Sequence, residues 1–443
     1  MKVAEKMIEI IRDQATRDER IKQISARCVV LDTELLRKVS AIIDDVRSRG
    51  DEALIEYTEK FDGIRLEPES LRVDEETLRR SAERVDERVV EALREAIRRV
   101  REFHEHEIER SWEVEAERGV RLGQRITPIE RAGLYVPGGT ASYPSSVVMN
   151  VVPAKVAGVE RIVVMSPPRT LAETPAVAAA LLELKVTEIY QVGGAQSIAA
   201  LAFGTETIPR VDKITGPGNK YVAAAKKLVF GAVGIDSIAG PSEVVIIADA
   251  TARPDFLAAD LLAQAEHDEE ASAILITTSE MLAERVAAEV ERQTQSLPRA
   301  QIIERSLQSY GAIFVVRDLE EACEIANRLA PEHLEIMTRE DELVGSRVGN
   351  AGAIFFGAHT PEAVGDYFAG PNHVLPTSGA ARFSSALGVY DFLKRTTLLR
   401  YSREELDKTG HLIAALAQSE GLDAHARSIL IRQEPEDRSR KSE

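Results

Sequence analysis

The stretch LLAQAEHDEEAS, residues 261–272, passes from an apolar run through a glutamine and a histidine into three consecutive acids. Gln264 and His267 stand three apart, so on the helix that this pattern predicts they project from one face. Spacing alone admits two readings: a helix turning from core to solvent, or two donors for a ligand. The chain has eight histidines, and six of them lie beyond residue 260. Glu332-His333 in LAPEHLEI ends a helix and opens a strand. Asp366 and His373 fall in GDYFAGPNHVLPT, read as a Gly/Pro-rich loop after a strand, and Glu420 and His425 fall in SEGLDAH near the C-terminus. Singly, each has an ordinary explanation as surface. Together, two histidines, a carboxylate and an amide oxygen form a donor set suited to Zn²⁺, Mn²⁺ or Co²⁺ rather than a thiolate site. His359 and His411 lack such a setting and read as structural. His104 and His106, two apart on a highly charged helical stretch, read as solvated.

A second signal is glycine and proline. YVPGG (135–139), VGGAQS (192–197), TGPGNKY (215–221) and AGPSE (239–243) stand where strands are expected to end. In doubly wound folds such loops form the ligand crevice, and glycine lets backbone approach a phosphate. None fits G-x-G-x-x-G, because Tyr221 stands where the third glycine of the nearest match belongs. They suit a nucleotide-sized ligand or, more plainly, tight turns.

The elements that must position these groups change character along the chain. Up to about residue 118 apolar residues recur at three-and-four spacing among Glu and Arg, the pattern of amphipathic helices. From Gly133, short β-rich runs alternate with Ala-rich helices: RIVVM, EIYQV, EVVIIADA, AILITT, AIFVV, LEIMT and AIFF. That alternation implies parallel sheets covered on both faces. The divisions expected are an N-terminal helical extension (1–25), a first α/β domain (26–132 and 241–385), an inserted second α/β domain carrying the Gly/Pro loops (133–240), and a C-terminal helical tail (386–443).

Bulk composition excludes several classes. The 443 residues carry a net charge of −17, the opposite of a protein that tracks nucleic acid. A hydrophobic fraction of 44% and a charged fraction of 29% are those of a globular chain. No apolar run reaches the length of a membrane span, and the N-terminus lacks the apolar centre of a signal peptide. Only Cys28 and Cys323 occur. Two distant thiols read as small core hydrophobes and point to a reducing cytoplasm.

From about residue 128 to 430 the chain resembles the histidinol dehydrogenases. The residues that carry the resemblance are GLYVPGGTASYPSSVVMN, VGGAQSIAALAFGTETIPRVDKITGPGNKYV, AGPSEV, DLLAQAEHD, APEHLE, GDYFAGPNHVLPT and ARFSSALGVYDFLKR. It departs in having Glu269 and Glu270 after the QAEHD motif and in its last eleven residues. The resemblance implies two incomplete, Rossmann-like, doubly wound domains in an intertwined homodimer. It implies an NAD-dependent enzyme with one zinc per subunit that oxidises L-histidinol to L-histidine through the aldehyde. The implied metal ligands are Gln264, His267, Asp366 and His425, and the implied catalytic pair is Glu332 and His333. Ser242, His373 and Glu420 would join these residues in contacting substrate, while Tyr135, Gln196 and Asn219 would line the NAD site. Glu420 and His425 would act across the dimer.

For that reaction a histidine near neutral pKa suits the alcohol proton, and a carboxylate suits the water that must add to the aldehyde. Two rivals remain at this level. A zinc hydrolase would share the donor set but needs no four Gly/Pro loops, and a non-catalytic metabolite-binding protein would have no use for Glu332-His333.

Overall fold

The computed structural model describes residues 7–26, 32–138 and 143–434. Cys28 and the glycine that ends YVPGG therefore lie outside the described residues. The apolar runs become strands whose two faces are both covered. Glu243–Ala248 and Ser272–Thr277 are buried at every residue, as parallel strands between helices must be. They sit inside a six-stranded, wholly parallel sheet, ordered Ile10–Ile11, Ala312–Val315, Ser272–Thr277, Glu243–Ala248, His333–Met337, Ala353–Phe356. After Glu243–Ala248 the chain builds outward on one side, then returns at His333 to pair on the other. A second parallel sheet of five strands runs Glu188–Tyr190, Arg161–Met165, Arg131–Tyr135, Lys213–Thr215, Gly234–Ile235.

Three of the four Gly/Pro loops follow carboxyl ends of strands in the five-stranded sheet. AGPSE does not: it precedes Glu243–Ala248 and stands at the amino end of a strand. Pro241 has no N–H for the ladder, so the strand begins only after it.

The charged N-terminal helices have apolar stripes, and these choose the five-stranded sheet. Val39, Ile43 and Leu54 from Thr33–Arg49 and Asp51–Asp62 bury with Val163, Ile198 and Leu201. Leu78, Leu93 and Val100 from Glu75–Ala82 and Glu87–Glu105 bury with Leu134, Val151 and Val164. The sequence had grouped these helices with the other α/β domain; their packing partners differ from that division. Ile21 and Ile24 of Gln14–Ser25 do pack with Ile247 and Phe314 of the six-stranded sheet. His104 corrects a second expectation. It lies on the buried stripe of its helix and is fully buried, with Nδ1 2.7 Å from Glu107 and Nε2 3.4 Å from the Asn372 amide.

The described residues divide into two compact units, Met1–Glu107 with Ile129–Phe392, and Ile108–Pro128 with Leu393–Glu443. The first holds both parallel sheets. The second holds a sheet that the sequence did not announce: antiparallel strands Trp112–Glu115, Arg121–Pro128 and Leu393–Arg400, followed by helices Arg403–Ser419 and Asp423–Leu430. No helix among the described residues is long and apolar enough to cross a membrane.

One buried ion pair fixes the TGPGNKY loop. Lys226 and Asp236 face each other with side chains 3% and 5% exposed. The Gly216 N–H donates to Asp236 Oδ2 (2.8 Å), and Lys226 Nζ donates to the Gly216 carbonyl (3.1 Å). Gly216 has φ +109°, and a Cβ there would stand 2.2 Å from the Tyr135 carbonyl oxygen, so only glycine fits. Removing one partner strands a buried charge, at a cost of about 3–5 kcal/mol. Lys226→Met should show that loss in urea unfolding. Adding Asp236→Asn, which keeps an oxygen for the Gly216 N–H, should recover most of it.

Candidate active site

A cavity of about 190 Å³ lies among Ser242, His267, Glu332, His333, Asp366 and His373. Gly216 and Pro217 also line it. Carboxyl-end loops of the five-stranded sheet therefore face amino ends of strands in the six-stranded sheet across one space. Gln264 is fully buried beside the cavity.

Glu332 and His333 enter through the switch between Glu243–Ala248 and His333–Met337. The register His333↔Val244 brings both side chains onto the backbone of Glu243. Glu332 Oε2 accepts the Glu243 N–H at 3.0 Å, and His333 Nδ1 lies 3.1 Å from the Glu243 carbonyl oxygen. A carbonyl only accepts, so Nδ1 carries a proton, and in the neutral imidazole Nε2 is the atom with the lone pair. Nε2 is buried without a hydrogen-bond partner. Its nearest acid oxygen, on Asp366, is 3.7 Å away, too far for a hydrogen bond.

The metal-side groups come from two helices. Pro254–Ala265 ends just after Gln264, so His267 sits in the following bend rather than on the helix, its N–H donating to the Gln264 carbonyl (3.2 Å). The acids are the reason: a helix C-terminus disfavours negative charge, and Asp268 accepts the Glu270 N–H (2.9 Å) to turn the chain. Asp268, Glu269 and Glu270 are exposed, as their sequence implied. Asp366 belongs to the short helix Glu362–Tyr367 and not to a loop, because Pro361 starts a helical turn there. His373 does lie in the loop, with Nδ1 3.0 Å from the Asp366 carbonyl.

Donor atoms of His267, Glu362 and Asp366 all lie within 4.8 Å of one another, close enough to hold one metal ion. Glu362 is the member that sequence reasoning passed over. At the start of PEAVGDY it looks like a helix-cap acid, and the one available hint was its position four residues before Asp366, on the same face. Oxygen and imidazole donors without thiolate suit zinc or a neighbour.

The electrostatics agree. Burial pushes His267 and His373 below the ordinary histidine range, which leaves them neutral and able to donate lone pairs. Burial pushes Glu332 up to about 8 and Glu362 up to about 7. Burial acts to lower His333, but the carboxylates of Glu362, Glu332 and Asp366 outweigh it and hold the imidazole well above its usual value. Crowded acids in a dry pocket share protons until a cation arrives.

The proposed NAD contacts lie outside this cavity, in the same unit. Tyr135 is buried, and its hydroxyl accepts the Gly194 N–H at 3.2 Å. Gln196 is 1% exposed, and both polar atoms of its amide lack partners, an arrangement that a bound polar ligand would satisfy. Asn219 caps the helix Lys220–Val229 through Oδ1, leaving only its amide nitrogen for a ligand. Glu420 and His425 belong to the second unit; the first unit assembles the other site residues.

A family model described as histidinol dehydrogenase matches residues 26–433. A histidinol dehydrogenase of Geobacillus kaustophilus is 58% identical over 402 residues, covering 90% of this chain and 94% of its own. That of Bacillus subtilis is 52% identical over 409 residues, covering 92% and 95%. A crystal structure of histidinol dehydrogenase from Elizabethkingia anophelis superposes with a TM-score of 0.91 at 35% identity, covering 97% of this chain and 98% of that one.

The donor cluster makes a direct prediction. Loss of supporting groups around a metal costs about 10–100-fold in affinity, so Asp366→Asn, which removes a charged donor, should weaken zinc binding by at least that much in competition with a chromophoric chelator. Unchanged affinity would remove Asp366 from the ligand set.

Proposed function

The chain belongs to the histidinol dehydrogenase family, and from that premise we propose that it oxidises L-histidinol to L-histidine in two NAD-dependent steps at the cavity around His333. The observation that carries this reading is His333 itself. It is a buried imidazole whose Nδ1 is held by a main-chain carbonyl and whose Nε2 has no hydrogen-bond partner, beside the His267–Glu362–Asp366 cluster.

A zinc ion held by Gln264, His267, Asp366 and, from the partner subunit, His425 would anchor the substrate's imidazole and amine; nicotinamide would accept hydride. The residues then divide the work. His333 Nε2 takes the hydroxyl proton of the alcohol as hydride leaves the carbinol carbon. Glu332 takes a proton from the water that adds to the aldehyde, and a second hydride departure from the hydrated aldehyde gives the acid. Cys323 is not placed to form a thioester: it is buried against the Val344 carbonyl. Ser242 and His373 line the cavity where the substrate's polar groups would sit. The unpartnered Gln196 amide, Tyr135 and Asn219 would receive the dinucleotide on the segment 133–240.

Zinc occupancy also removes an electrostatic obstacle. A base must be neutral to accept a proton, and the acids around His333 hold it protonated. Positive charge among Asp366 and its neighbours cancels that effect.

The second unit supports a homodimer with shared sites. Leu399, Leu412, Leu416 and Ile431 are each 49–69% exposed, more apolar surface than an isolated unit tolerates comfortably. Glu420 and His425 stand on that unit and would reach the partner's cavity. We place the reaction in the cytoplasm.

Three measurements test this reading. Two NADH should form per histidinol, whereas Glu332→Gln should yield one and slow acid formation by about 10²–10⁴-fold, with aldehyde accumulating. Because Glu332 acts in its ionised form and burial holds it at about 8, the aldehyde-to-acid step should accelerate as pH rises through that value and fall away below it. A pH-independent second step would reject Glu332 as the base. For the shared site, His333→Asn and His425→Asn protomers should each be inactive as homodimers. Refolded together, they should regain activity through one intact site per heterodimer; no recovery would place His425 in its own subunit's site.

A further inference from the structure

Glu362 is 3% exposed and has partners on two sides. One is the Gln264 side chain. With the amide nitrogen turned toward Glu362, that nitrogen donates to both carboxylate oxygens at 3.0 and 3.1 Å; in the opposite orientation oxygen faces oxygen. The carboxylate can only accept, so it selects the end of the amide it meets. The Glu362 backbone N–H, in turn, donates to Glu335 Oε1 at 2.8 Å. Glu335, 1% exposed, stands close enough to the buried Asp260 carboxyl group for the two acids to interact electrostatically. Asp260 and Gln264 are four apart on the helix Pro254–Ala265, hence on one face. The four residues close a ring through that helix, the strand His333–Met337 and the helix Glu362–Tyr367.

We propose that Glu362 is a positioning residue of the metal centre: it holds the Gln264 amide by its nitrogen, so that Oε1 is the atom presented to a divalent cation. The inference rests on the zinc reading given above. An amide is an indifferent ligand because its nitrogen has no lone pair to give and its two ends are nearly the same size. A site that uses glutamine must therefore fix which end points inward. Proximity alone would admit Glu362 as a ligand, since its oxygens lie among those of His267 and Asp366. With the amide nitrogen turned toward it, however, both Glu362 oxygens accept from Gln264. The role is that of an outer carboxylate orienting an inner ligand.

The test is zinc affinity of full-length, chelator-stripped protein, read by competition with a chromophoric chelator. Apoprotein melting curves accompany each variant. Glu362→Leu keeps volume but cannot accept, and should weaken zinc binding by about 10–100-fold. Glu362→Gln, whose oxygen can still accept from the Gln264 nitrogen, should stay within about twofold of the parent, and gives a reading even if the leucine variant misfolds. In a Gln264→Met background, Glu362→Leu should cost no further affinity beyond about twofold, the limit of additivity error. Three results would overturn the proposal: full affinity in Glu362→Leu, equal losses in the leucine and glutamine variants, or a further loss in the methionine background. The last two would make Glu362 a ligand. A parent protein that binds no zinc would instead defeat the metal reading itself, and this inference with it.

Discussion

The peptide of Glu243 is the constraint on which the site depends. Its N–H is accepted by Glu332 and its carbonyl holds His333 Nδ1, so one residue's main chain fixes both members of the proposed catalytic pair. Glu243 begins the central strand, and its side chain also accepts the Ser378 N–H at 2.6 Å. The ladder from His333↔Val244 to Met337↔Ala248 locks the pair against that peptide. A shift of one residue would turn His333 to the other face of the sheet. Main-chain partners of this kind also settle the tautomer, which side-chain partners could leave to protonation state.

The proposed metal side is built from charge that the fold concentrates and does not neutralise. Glu332, Glu335, Glu362 and Asp260 are buried acids, and burial raises each of them. The helix Pro254–Ala265 points its C-terminus, the negative end of its dipole, at the same place. Among the described residues, none of these four acids forms an ion pair with a lysine or arginine. Such a pocket costs stability while empty of cations, and it recovers that cost on binding one.

Legibility from sequence followed periodicity. The seven β-rich runs all became parallel strands, because strands covered on both faces are continuous apolar stretches that stand out against helices. The antiparallel sheet of the second unit did not stand out. Trp112–Glu115 is exposed at all four residues, and LKRTTLLR of Leu393–Arg400 has no buried residue, so neither shows the alternation of a half-buried strand. His104 was misread for the opposite reason. Its charged neighbours suggested solvent, yet it falls on the stripe with Leu93, Ala96 and Val100, and position on the stripe decided burial.

Ser242, His267, Glu332, His333, Asp366 and His373, all singled out from sequence, line one cavity, but the residues that orient them were not legible. Gln264 and His267 drew notice as unusual types in an apolar-to-acidic transition, while Glu335 and Glu362 drew none. A glutamate is common at both places, so nothing local marks it; only the meeting of three elements in space gives it work. The same limit explains Gln264. Its type could suggest a ligand, but which end of its amide faces inward is set by Glu362, a residue 98 positions away. Outer-shell groups touch other residues rather than substrate, so their chemistry is relational, and a linear pattern that identifies ligands by type has no access to it. The ring from Asp260 to Gln264 is thus the part of the centre where structure adds most to what the motifs imply.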